Sequence, residues 1–98
     1  MRLYELATGH FEGRDSSIYF LAAERKPTSD EVREIVSRTE PRIGRQDPQK
    51  IAVRFSSGFT AGDESCTRYA TLTLKEGSVD KKRLDDLAKE HKGKVLHI

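Results

Sequence analysis

The side chains that could perform metal or thiol chemistry are few and scattered: the thiol of Cys66 and the imidazoles of His10, His91 and His97. A structural zinc site needs four such ligands, and none of the usual short spacings between paired cysteines or histidines occurs here. Asp63 and Glu64 precede Cys66, and nearby carboxylates oppose the thiolate form that a catalytic cysteine needs. We therefore predict no metal site and no cysteine nucleophile.

Hydroxyl and phosphate chemistry have equally weak signals. Asp15, Ser16 and Ser17 could supply a carboxylate and hydroxyls, but short polar residues in a turn normally bond to their own backbone. The two Gly-x-x-x-Gly segments, 9–13 and 58–62, lack the Lys-Ser/Thr pair that completes a phosphate-binding loop. A small enzyme without a recognisable motif is therefore the third hypothesis. The sequence leans against it and predicts no cofactor.

Basic residues are concentrated in two segments, which makes RNA or DNA binding the second hypothesis. Residues 38–50 are irregular and rich in arginine, and residues 81–83 are Lys-Lys-Arg. Such a patch can bind phosphates, and outward-facing Tyr19, Arg54 and Tyr69 could offer a platform for bases. The predicted contacts are Arg38, Arg42, Arg45, Lys50, Arg54, Lys81, Lys82 and Arg83. Against this, acidic residues alternate with the basic ones after position 83, as on an ordinary solvated helix face.

Two phenylalanines in glycine-rich turns support the preferred hypothesis, a protein-binding module. Phe11 and Phe59 each follow close on a glycine at the beginning of a turn, where burial of a ring is hardest. An aromatic anchor with a charged rim is typical of protein interfaces. The predicted binding residues are Phe11, Glu12, Arg14, Phe59, Asp63 and Glu64. The expected partner is another protein or a second copy of the chain, in a regulatory or accessory role.

The same two turns share a pattern of residue types. Gly, Gly and Ser recur at matching positions in segments 9–17 and 58–66, which lie forty-nine positions apart. Each segment separates two strand-like runs and is followed by a helix-like run. The pattern suggests an internal duplication of a β-hairpin-plus-helix unit. The alternative is that any two hairpin turns collect such residues.

Two helices are marked by their ends and their apolar spacing. Thr28 and Glu31 have the spacing of a capping box, and the apolar stripe that follows contains Val32, Ile35, Val36 and Thr39. Ser78 is the predicted cap of the second helix, and Gly93 its left-handed exit. Its predicted inner stripe consists of Leu84, Leu87, Ala88 and His91.

Five strand-like runs surround these helices, in the order ββαββαβ. The predicted inward residues of the third and fourth strands are Ile51, Val53, Phe55, Ala70, Leu72 and Leu74. The second run, 17–24, is apolar on both faces, as in a central strand. We predict an α+β fold, a mainly antiparallel sheet with both helices on one face. The last run, 94–98, could join this sheet or that of a neighbour.

The size and composition of the chain set the remaining expectations. Its 98 residues suit one domain over residues 1–98, and a net charge of +2 names no partner. A single cysteine suits a reducing compartment. The longest apolar run, 18–23, is far shorter than the roughly twenty residues that cross a bilayer. We therefore expect a cytoplasmic protein without a membrane partner.

Overall fold

A computed structural model describes residues 1–11, 16–39, 47–55 and 66–98. These residues form five strands, two α-helices and a short 3-10 turn. The strands are β1 Arg2–His10, β2 Ser16–Ala23, β3 Ile51–Phe55, β4 Arg68–Glu76 and β5 Val95–His97. The helices are α1 Ser29–Thr39 and α2 Lys81–Glu90, and the 3-10 turn Pro48–Lys50 precedes β3. The predicted α+β class is confirmed.

The strands form one mixed sheet in the order β3-β4-β1-β2-β5. The central strand β1 is antiparallel to both β2 and β4, whereas β3 is parallel to β4 and β5 is parallel to β2. The prediction of a mainly antiparallel sheet in the order ββαββαβ is therefore only partly right. Antiparallel pairing holds in the middle of the sheet and parallel pairing at its edges, and the 3-10 turn interrupts the predicted order.

The parallel pairing of β3 and β4 also contradicts the predicted repeat of a β-hairpin. The first half does contain a hairpin, β1–β2, but the second half pairs Ile51 with Arg68 in parallel register. Parallel neighbours need a crossover of about a dozen residues, and the twelve residues 56–67 separate these two strands. The similar turn residues therefore do not reflect the same connection.

The two helices lie on opposite faces of the sheet, not on one face as predicted. In β2, Tyr19 and Leu21 pack in the cluster that contains α1, while the intervening Phe20 packs in the cluster that contains α2. Because successive side chains of a strand point to opposite faces, the two clusters lie on either side of the sheet. The sequence of β2 explains this arrangement. A strand that is apolar on both faces needs another element packed against each face.

The capping box of α1 is present as predicted. The N–H of Glu31 donates to Thr28 Oγ1 at 3.2 Å, and the N–H of Thr28 donates to Glu31 Oε1 at 3.0 Å. Arg25 also bonds to this carboxylate, at 2.8 Å. The hydrogen bond from Arg25, followed by the one from the Thr28 backbone, lowers the pKa of Glu31 to about 2. Val32, Ile35 and Val36 of the predicted stripe are buried, whereas Thr39 is only half-buried.

The second helix begins two residues later than predicted. Asp80, rather than Ser78, is the N-cap, and its carboxylate accepts from the N–H of Arg83 at 2.8 Å. Leu84 and Leu87 are buried as predicted, but Ala88 is exposed. His91 is half-buried, with its ring 5.0 Å from that of Phe20. Gly93 has a φ of 73°, which confirms the left-handed exit.

Leu74 is the one predicted core residue of β4 that the structure leaves exposed, at 54%. Its neighbours in the prediction, Ala70 and Leu72, are buried. The last pair between β3 and β4 joins Phe55 to Leu72, so Leu74 lies beyond the end of β3. The alternation of β4 was predicted correctly. The length of the neighbouring strand β3 decides which inward residues of β4 are covered.

Candidate functional site

Of the described strands, β5 forms one edge of the sheet. The N–H of Phe20 donates to the Lys94 carbonyl at 2.7 Å, and the N–H of Ile98 donates to the Ala22 carbonyl at 3.1 Å. In a parallel pair, alternate residues direct both backbone groups to the same neighbour. Lys94, Leu96 and Ile98 therefore bond towards β2, and the N–H and C=O groups of Val95 and His97 point away from the sheet.

A groove runs along this edge, between α1 and β5. It consists of two adjoining pockets of about 350 and 450 Å³, and both contain Ile35, Arg38 and His97. The apolar part of the groove is formed by Ile35, Leu96 and Ile98. Ile35, on the sheet-facing side of α1, is buried, whereas Ile98 is 43% exposed. An apolar surface next to strand N–H and C=O groups that have no partner among the described residues is suited to an added strand.

The groove has a charged rim on the α1 side. Asp30 pairs with Arg33 at 3.2 Å and Glu34 pairs with Arg38 at 3.6 Å, and both pairs are open to water. Exposed ion pairs contribute little to the stability of a protein, typically about 0–1 kcal/mol each. A bound partner could therefore rearrange these two pairs at a small cost in free energy. Glu31 differs, because Arg25 and the capping box already hold its carboxylate.

Of the predicted protein-binding residues, the structure describes Phe11. Its ring is half-buried and lies 5.7 Å from that of Tyr69, and its N–H donates to the Thr67 carbonyl at 3.2 Å. The ring therefore rests on the sheet, where a half-buried position leaves part of it accessible. The other predicted residues, Glu12, Arg14, Phe59, Asp63 and Glu64, lie outside the described residues.

The predicted nucleic-acid contacts are divided between the two faces of the sheet. Arg38 lies on α1 at the rim of the groove, whereas Lys81, Lys82 and Arg83 form the first turn of α2 on the opposite face. Arg83 also pairs with Glu76 at 3.4 Å. Lys50 is exposed just before β3, and Arg42 and Arg45 lie outside the described residues. The structure therefore does not join the helix cations to Arg38 in one patch.

The face of the sheet that carries α2 also carries part of the predicted base platform. Tyr69 lies opposite Ala52 in the pairing of β3 with β4. Arg54 is two residues after Ala52 in β3, so Arg54 projects on the same face as Ala52 and Tyr69. Phe11 contacts Tyr69 on this face, and Ile18 is 54% exposed. Tyr19 was predicted to face outward and is buried in the α1 cluster instead, because α1 covers that face of β2.

Sequence reasoning did not identify a buried arginine. Arg68 is 1% exposed, and its Nε donates to Thr8 Oγ1 at 3.3 Å. The Thr8 hydroxyl in turn donates to the Tyr69 carbonyl at 3.0 Å. Arg68 follows Cys66 and Thr67 at the beginning of β4, where a basic residue usually indicates solvent. Its alternation with the buried Ala70 and Leu72 was the available signal.

The described part of the chain also lacks the features of a metal site or of a membrane-spanning helix. The described residues contain no group of three or more His, Cys, Asp or Glu side chains that could hold a metal ion. Among the described residues, neither α1 nor α2 is long and apolar enough to cross a bilayer. No protein-family model, curated protein or solved structure matches the chain. Its function must therefore be inferred from the residues themselves.

Proposed function

We propose that this protein is a protein-binding module that takes up an extended segment of a partner protein as an additional strand on β5. The observation that carries the proposal is the outward direction of the Val95 and His97 backbone groups, directly beside the apolar groove under α1. Strand addition next to a groove is a recurrent mode of peptide recognition, in which main-chain bonds give affinity and pockets give specificity.

The geometry defines what the partner segment would contact. Val95 and His97 together offer two N–H donors and two C=O acceptors to an added strand. Every second side chain of that strand would project on the face of Leu96 and enter the groove beside Ile35. An edge this short supports a small interface, of the kind found in weak, transient complexes. We place this binding in the cytoplasm, because the single cysteine suits a reducing compartment.

A proline at position 97 tests the proposal, because it removes one outward donor without touching the ladder to β2. The N–H of His97 points out of the sheet, and proline is tolerated in an edge strand at such a position. The alanine variant, His97→Ala, keeps the N–H and serves as the matched comparison. Net backbone hydrogen bonds are worth about 0.5–1.5 kcal/mol, so His97→Pro should bind about 2- to 12-fold more weakly than His97→Ala.

The binding assay uses peptides selected from a displayed random library against the wild-type protein. On the proposal, the selected peptides shift the backbone amide resonances of Val95, Leu96 and His97 and of the groove-facing side of α1. Circular dichroism of both variants checks that the fold is kept. If the peptides bind His97→Pro and His97→Ala equally well, or shift residues of the α2 face instead, strand addition at β5 is wrong. Self-association of the wild-type protein, measured by sedimentation, would identify a second copy as the occupant.

Binding of single-stranded nucleic acid is a second candidate, favoured by the cluster of Phe11, Tyr69 and Arg54 on the α2 face. Aromatic rings on an open sheet can stack on bases, at about 1–3 kcal/mol for each base. The test is titration with single-stranded RNA at two salt concentrations. Phosphate-driven binding weakens steeply with salt, and Tyr69→Ala should weaken it further. The absence of binding at low salt would eliminate this candidate.

A further inference from the structure

The groove between α1 and β5 has a direction. Asp30, Glu31 and Glu34 line the pocket that contains Ile98, whereas Thr39 lines the pocket that contains Gly93. The helix therefore runs antiparallel to β5, with its N-terminal turn beside the end of the strand. A segment bound along the groove would meet chemically different surroundings at its two ends.

The end near Ile98 is acidic. Three carboxylates and one guanidinium, that of Arg38, line this pocket. The carboxylate of Asp30 is the most accessible of them, since its side chain is 94% exposed and its ion pair with Arg33, at 3.2 Å, is open to water. The positive end of the α1 dipole opposes a bound cation by about 0.3–1 kcal/mol, but Asp30 and the capped Glu31 offset it there. A Lys or Arg side chain could also lay its apolar stem along Ile98.

The opposite end of the groove is suited to an apolar side chain. Leu96, Ile35 and the aliphatic part of Thr39 form its apolar lining, and the remaining lining residues are Arg38, Gly93 and His97. A residue of an added strand directly opposite Leu96 projects on the same face as Leu96, towards α1. The surroundings of this position favour a branched aliphatic residue.

The spacing of these two positions agrees with an extended segment. Side chains on one face of a strand repeat every ~6.8 Å. Along α1, Asp30 and Glu31 precede Ile35 by five and four residues, which is a rise of ~6–7.5 Å. A residue opposite Leu96 and a second residue opposite Ile98, two positions away, therefore face Ile35 and the carboxylates respectively.

We infer, on the basis of the proposed strand addition, that the bound segment runs antiparallel to β5 and carries a basic residue two positions before an apolar one. Antiparallel pairing is slightly more stable per residue than parallel pairing. In that direction the segment passes the Ile98 end first, so the basic residue comes before the apolar residue. The partner is thus an extended protein segment with the pattern basic-x-apolar.

The test compares three capped peptides in a neutral Thr-rich context, with the cores Lys-x-Val, Val-x-Lys and Glu-x-Val. Binding to the wild-type protein is measured by fluorescence anisotropy at low ionic strength. We expect Lys-x-Val to bind about two- to five-fold more tightly than either of the others, as one favourable rim charge would give. The double variant Asp30→Asn with Glu34→Gln should abolish this preference. The matched control, Asp85→Asn with Asp86→Asn, removes two exposed carboxylates from α2 and should keep it.

The outcomes separate this inference from the proposed function. If all three peptides bind equally, and all bind His97→Pro more weakly than His97→Ala, strand addition stands and the basic-x-apolar pattern is wrong. A preference for Val-x-Lys would mean a parallel segment and would also overturn the inference. If none of the three peptides binds, and library selection recovers no binding peptide of any sequence, the proposed function is wrong and the inference is wrong with it.

Discussion

The placement of the helices on opposite faces can be tested by combining one core substitution from each face. Leu87 is 4% exposed and packs with Phe20 and Leu84 on the α2 face. Ile35 belongs to the α1 face. Leu87→Ala removes three buried carbon atoms, worth ~2.4 kcal/mol in transfer free energy, and the cavity term raises the loss to about 3 kcal/mol. Ile35→Val should cost about 1 kcal/mol.

The two losses should add, because no described side chain of one cluster belongs to the other. The double variant should therefore lose about 4 kcal/mol, with a coupling energy within about 0.5 kcal/mol of zero. A domain of this size is stable by roughly 5–15 kcal/mol, so the double variant stays measurable in water. The assay is urea denaturation followed by far-ultraviolet circular dichroism, since the chain has no tryptophan.

Two results would refute this reasoning. A coupling energy above about 1 kcal/mol would mean that Leu87 and Ile35 share one packed core, as the one-face arrangement requires. A loss below about 1 kcal/mol for Leu87→Ala alone would mean that α2 is not packed on the sheet. The surface variant Ala88→Ser, on the exposed side of the same helix, controls for changes in helix propensity.

Two further predictions concern the ends of the helices. The folded-state pKa of Glu31 is about 2, below its ordinary value of 4.5, so its stabilising effect is present above that ordinary value and is lost as the pH falls towards 2. Glu31→Gln should flatten the dependence of the unfolding free energy on pH in this window, and an unchanged slope would contradict the bonds that Arg25 and the Thr28 backbone make to this carboxylate. Gly93→Ala should cost about 1–2 kcal/mol, because φ is 73° there. Gly77→Ala, which meets no atom within 4 Å, should cost less in the same denaturation assay, and equal losses would contradict the left-handed exit.

The local features of this chain could be predicted because they depend on residues close in sequence. The capping box needs Thr28 and Glu31 alone, and the exit of α2 needs only Gly93. The cap of α2 was misplaced although a local signal was present. Val79 and Leu84 pack in the same cluster, in the positions of a hydrophobic staple around an N-cap at Asp80. The N–H of Val79 also donates to the Met1 carbonyl at 2.7 Å, which a sequence pattern does not reveal.

The arrangement of the sheet depended on partners far apart in the chain. Periodicity predicted the inward residues of β3 correctly, but it does not say whether β4 runs parallel or antiparallel to it. The groove was beyond prediction for the same reason. Ile35 was predicted as a core residue. It lines the groove only because β5 pairs with β2 and lies beside α1. The sequence left open whether the last strand joins this sheet or that of a neighbour, and the structure pairs it with β2.

The central position of β1 determines when the fold can be completed during synthesis. Leu3 pairs with Ala22 on one side and with Glu76 on the other. The first pairing is available as soon as the hairpin has emerged from the ribosome, but the second needs most of the chain. Until β4 arrives, the middle strand of the finished sheet is an exposed edge, with Leu3 and Leu6 already in place. Such an edge is an aggregation hazard, and the nascent hairpin carries it until β4 has been made.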